Sequence, residues 1–130
     1  MSAAVELADA VAAAVADLER AGYTLSASAT GDGGSIVTVH NFPFGERWLP
    51  ESGDLTFEIA YNYPFAAIYP YYTTSDLNLR EGDRPSALQI VDWRGSRYTQ
   101  VSLRATNWNP QIDTALGALA QVEHWFNCIG

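Results

Sequence analysis

Helical periodicity is confined to the two ends of this chain, and the stretch between them alternates with a period of two. Near the start, Leu7, Val11, Ala14 and Leu18 recur at three- and four-residue steps and so share one face of a helix. Near the end, Ile112, Leu116, Leu119, Val122 and Phe126 do the same. In between, residues 23–29 alternate Tyr, Leu and Ala with Thr and Ser, and Leu55, Phe57, Ile59 and Tyr61 fall on one side of another run. Helices at the ends and strands in the middle predict an α+β domain, an antiparallel sheet covered by helices on one face.

Local signals set the expected boundaries. The first helix is predicted over residues 3–21, with Ser2 as N-cap and Gly22 as the stop. Residues 23–29 and Ile36–Val39 form a hairpin around Gly31-Asp32-Gly33-Gly34. Residues 41–53, with two prolines and two glycines, read as an extended loop. Asp54–Tyr61 is a third strand and Ala66–Thr73 a fourth, with Pro70 favouring an edge or an irregular end. Residues 74–100 lack regular periodicity and read as a long ordered loop of the functional kind. Asn109 then caps the last helix, with Pro110 in its first position and Asp113 in its first turn.

Composition removes several function classes. The 130 residues suit a single domain over 1–130, and 48% of them are hydrophobic. The net charge of −8 disfavours nucleic acid, whose phosphates repel such a surface. No apolar stretch is long enough to span a bilayer, and the acidic, alanine-rich start lacks the basic region of a signal peptide. The expected location is cytoplasmic. Cys128 is the only cysteine, so no internal bridge forms, and its place at a helix end points to a plain thiol. Two separated histidines and one cysteine make no metal site. The glycines at 31–34 lack the lysine and helix of a phosphate loop, so no cofactor is expected.

A set of ordered markers carries a resemblance. It comprises Asn41-Phe-Pro-Phe-Gly45, the Asn62-Tyr-Pro-Phe65 strand end and the Leu77 to Gly82 stretch. It closes on the run of Trp93, Gly95, Ser102, Arg104, Trp108, Pro110 and Asp113. In this order the markers resemble the ubiquitin-conjugating (UBC) fold, in particular the bacterial conjugating-enzyme-like proteins of the prokaryotic family E type. The resemblance implies a minimal UBC-like domain: an N-terminal helix, a four-stranded antiparallel meander, a long active-site loop and a C-terminal helix. It also implies partners: a ubiquitin-like protein, a ThiF-type activating enzyme and, as a further candidate in the same system, a JAB-type peptidase. Such systems are often linked to phage defence.

The chain departs from the conjugating enzymes at the chemistry. Ser102 stands nearest the catalytic cysteine position, and the His-Pro-Asn motif is absent. The interval from Ser102 to Trp108 is slightly shorter than the usual one, and a minimal domain without the helices that follow the Trp-Pro helix in those enzymes is expected. A serine is neutral at pH 7 and needs a base to become a nucleophile, a contribution of about 10²–10⁴ in rate. His40 is the candidate base, and Arg104 and Asn107 are candidates for stabilising an oxyanion or meeting a ubiquitin-like tail. Asn107 also suits a plain turn, and His124 reads as a surface or packing residue.

Two functions follow from the resemblance. In the first, Ser102 accepts the C-terminus of a ubiquitin-like protein as an oxyester and passes it to a target amine. In the second, the chain is a catalytically inactive UBC-like scaffold that binds the ubiquitin-like protein or its activating enzyme. Contacts to that enzyme are expected from the exposed face of the first helix, at Glu6, Asp9 and Arg20. Trp108 and the tyrosine-rich stretch from Tyr61 to Tyr72 are expected to be mainly packing. An aromatic left exposed there is a binding anchor.

Overall fold

The structure, a computed structural model, describes residues 7–103 and 107–129. Helix α1 (Asp9–Arg20) buries Val11, Ala14 and Leu18, with Leu7 packed alongside, on the face the periodicity predicts. It ends as its sequence requires. Gly22 adopts φ +103°, where a side chain is strained. That turn lets Gly22 N–H reach Glu19 O (3.0 Å) and Tyr23 N–H reach Leu18 O (3.2 Å), which satisfies two carbonyls of the last turn. The expected cap Ser2 and the expected contact residue Glu6 lie outside the described residues. Ala8 precedes the helix without a side-chain cap, and its N–H is taken by Gly33 O (2.8 Å).

Six strands form the main sheet: β1 (Leu25–Ala29), β2 (Ser35–Pro43), β4 (Ser52–Ile59), β5 (Tyr71–Thr74), β7 (Leu88–Trp93) and β8 (Ser96–Val101). Their order is β1-β2-β4-β5-β8-β7, and every pairing is antiparallel. Two-residue strands β3 (Trp48–Leu49) and β6 (Asn78–Leu79) pair separately. The described chain is therefore α+β. Four strands were expected and the sheet has six: the expected fourth, Ala66–Thr73, is reduced to Tyr71–Thr74, and a further hairpin follows it.

That hairpin falls in the stretch read as a long loop. β7 and β8 are joined by Arg94 and Gly95, both at positive φ, the two-residue turn that matches strand twist. The alternation of β7 is weak because it is an edge strand, and only Leu88 in it is buried. Residues 41–53 are likewise mostly paired. β2 runs on to Pro43 through a bulge between Val39 and Phe42, and β4 begins at Ser52. Arg80 fastens this region through Glu46 O and the Glu51 carboxylate.

One face of the sheet is the core. Val37, Val39, Leu55, Phe57, Ile59, Tyr71 and Val101 form one cluster with the buried residues of α1 and of helix α2 (Ala115–Ile129). At the α2 end, Phe42, Phe44, Trp48 and Phe126 pack as an aromatic group, and Trp48 Nε1 donates to Phe126 O (3.0 Å). The opposite face carries polar and half-buried side chains, and no described helix lies on it. α2 starts later than the sequence signals suggest. Asn109 closes a separate turn, bonding Gln111 N–H through its side chain, and Thr114 caps the helix proper through Gly117 N–H (3.1 Å). The apolar face shifts accordingly to Ala115, Leu119, Val122 and Phe126, and Ile112 is left 74% exposed.

Candidate functional site

Ser102 follows β8 directly. Its N–H donates to Ala87 O (2.8 Å), which extends the β7–β8 ladder by one residue and fixes the side chain on the open face of the sheet. There the half-buried hydroxyl sits between two amides. Gln100 Nε2 donates to Ser102 Oγ (2.9 Å), and Ser102 Oγ donates to Gln89 Oε1 (2.6 Å). The register explains the arrangement, since Gln89 faces Gln100 across the ladder and Ser102 lies two residues along the same face. An amide oxygen orients a hydroxyl but does not take its proton.

His40 is elsewhere. Val101, Tyr71, Phe57 and Val37 form one row across the sheet. Ser102 lies one residue beyond that row at one end, and His40 three residues beyond it at the other. With β4 and β5 between their strands, the two are about 20 Å apart. His40 instead bonds Ser26 Oγ through Nε2 (2.8 Å) and Asp54 Oδ1 through Nδ1 (3.2 Å). Arg104 lies outside the described residues. Asn107 is exposed and holds φ +55°, a left-handed turn conformation that asparagine tolerates.

The Ser102 end of the sheet is organised by a clamp between two turns. Tyr61–Phe65 follows β4 and lies at the same end as the exit of β8. Trp108 Nε1 donates to Pro64 O (2.6 Å), and the Tyr63 and Trp108 rings meet at 6.4 Å. Tyr63 Oη accepts the N–H of Ala115, the first residue of α2 (2.9 Å). The Tyr-Pro turn thus fixes both Trp108 and the start of the last helix. Beside the clamp, Phe65 is 77% exposed, and Ile112 projects from the partner turn.

Further along the open face, Tyr72 stacks on Trp93 (3.9 Å, 6°), with Tyr98 edge-on to both and Arg94 over the Trp93 ring. Burial pushes the Tyr72 phenol above the ordinary tyrosine range, and Tyr69 and Glu58 add to the shift. Cys128 is exposed on the last turn of α2, 3.4 Å from His124 Nε2. Among the described residues no cluster of His, Cys, Asp and Glu is arranged to hold a metal ion, and no helix is long and apolar enough to cross a membrane.

Sequence reasoning missed the glutamines around Ser102 and the serine and aspartate around His40. Each group is assembled across strands, and only the register brings its members together. Comparisons with protein families, with curated proteins and with solved structures find no match.

Proposed function

We propose that this chain is a UBC-like domain that binds a ubiquitin-like protein, or the ThiF-type enzyme that activates it, without carrying the acyl group on Ser102. The observation that carries the reading is the pair of amides on the Ser102 hydroxyl. Attack on an activated carboxyl requires the serine proton to leave, and neither glutamine is a base. The UBC-like part of the reading is supported by the clamp, in which a Tyr-Pro turn after a sheet strand holds the Trp-x-Pro segment and the helix behind it.

Phe65 and Ile112 are the anchors of this reading. They lie on the two turns joined by the clamp and are the two most exposed large apolar side chains among the described residues, which leaves both open to a partner. The test is a binding titration of wild type and a Phe65→Asp, Ile112→Asp double variant against the ubiquitin-like protein and the activating enzyme. The expected result is binding by wild type and a loss of tenfold or more, about 1.4 kcal/mol, in the variant at unchanged melting temperature. Equal binding by both proteins, or binding by neither, overturns the reading.

A further inference from the structure

A second group of side chains, at the far end of the open face, has the connectivity of a nucleophilic triad. Ser26 stands on β1, His40 in the bulge of β2 and Asp54 on β4, so three adjacent strands contribute one residue each. The Asp54 carboxylate accepts from His40 Nδ1 (3.2 Å), which places the proton of the neutral ring on that nitrogen. Nε2 then presents its lone pair to the Ser26 hydroxyl at 2.8 Å. Such an array is defined by geometry and roles and not by chain order.

Two further features complete it. His40 N–H donates to Thr24 O (2.8 Å), so the Thr24–His40 and Ser26–Thr38 positions are the hydrogen-bonded pairs of the ladder. The Ala27 amide therefore points off the free edge of β1, where the residue after a nucleophile supplies an oxyanion donor. On the other side of His40 from Ser26, Asp54 helps line an open recess of about 400 Å³ together with Thr38, Thr56, Thr73, Thr74 and Tyr98. Its lining is rich in threonine, with Asp54 its one acidic side chain, and the chain carries −8 overall, so anions are disfavoured.

We propose that Ser26, His40 and Asp54 are nucleophile, base and positioning carboxylate for acyl transfer from a small uncharged ester. Ser26 Oγ bonds to the acyl carbon while its proton passes to His40 Nε2. The bond to the alcohol or phenol breaks, and the leaving oxygen takes that proton. Water then attacks the acyl-serine through the same base, releasing the acid and restoring the hydroxyl. This inference is independent of the binding function proposed for the clamp end of the sheet.

The test uses p-nitrophenyl acetate with the full chain, following p-nitrophenolate release and locating acetyl groups by peptide mass spectrometry. The chain contains no lysine, so side-chain amines add no background. Ser28 is the internal control, an exposed serine on the same strand and face with no histidine beside it. The expected result is acetyl on Ser26 and not on Ser28, abolished in Ser26→Ala and slowed about 10²-fold or more in His40→Gln. Ser26→Cys should restore acylation. Equal acetylation of Ser26 and Ser28, no acetylation of either, or an unchanged rate in His40→Gln overturns the proposal.

Discussion

Replacing Tyr63 by Phe removes one oxygen atom from the clamp and nothing else. Tyr63 is 9% exposed and Ala115 is 1% exposed, so water does not reach the amide that the phenol serves. Ring and packing are kept, which removes the cavity cost of larger truncations. What remains is a buried N–H at the start of α2 with its acceptor gone, a loss of about 1–3 kcal/mol. Unfolding entropy of about 2 cal/mol/K per residue makes each kcal/mol worth about 4 °C in a chain of 130 residues. The expected drop in melting temperature is therefore about 4–11 °C. Thermal unfolding followed by circular dichroism measures it, and hydrogen exchange at the Ala115 amide localises it. An unchanged melting temperature, or a drop without faster exchange at Ala115, would refute the claim that the Tyr-Pro turn holds the last helix.

Three further outcomes are expected. Thr99 is fully buried, and its hydroxyl has no hydrogen-bond partner among the described residues. Thr99→Val should therefore stabilise the protein by up to about 1 kcal/mol in urea unfolding. Gly34→Ala should destabilise it by about 1–3 kcal/mol in the same assay, because a Cβ there would stand 2.8 Å from Ile59 O and the backbone must shift. Burial raises the phenols of Tyr71 and Tyr72, and burial followed by Glu123 raises that of Tyr23. The unfolded phenols lose their protons first, near pH 10, so the unfolded state then binds fewer protons. Stability should hold up to about pH 10 and fall above it, as read by melting temperature against pH. A stability that rises above pH 10 would contradict that account.

The two helices were legible because their apolar residues repeat within a few positions. Val11, Ala14, Leu18, Leu119, Val122 and Phe126 are buried as the spacing requires. Strands β1, β2 and β4 were legible from alternation, although Tyr61 escapes the buried face once β4 ends at Ile59. The hairpin of β7 and β8 was hidden because an edge strand needs few buried residues, and its turn is an Arg-Gly pair. The start of α2 was misplaced because Asn109 and Pro110 serve a turn of their own, and the capping hydroxyl is that of Thr114. For the site, Trp108 was expected to be mainly packing, and it packs on the Tyr-Pro turn. The partners of Ser102 and His40 lie on neighbouring strands, and the register that joins them is set by the buried face, so the polar residues themselves carry no sign of their pairing.

Intact-protein mass spectrometry tests most directly whether Ser102 stays free of an acyl group. The chain would be incubated with a ThiF-type activating enzyme, its ubiquitin-like protein and ATP, wild type beside Ser102→Ala. No covalent adduct dependent on Ser102 is expected, with binding to a partner retained. An adduct that survives thiol reductant, yields to hydroxylamine and disappears in Ser102→Ala would contradict it and make Ser102 an oxyester carrier.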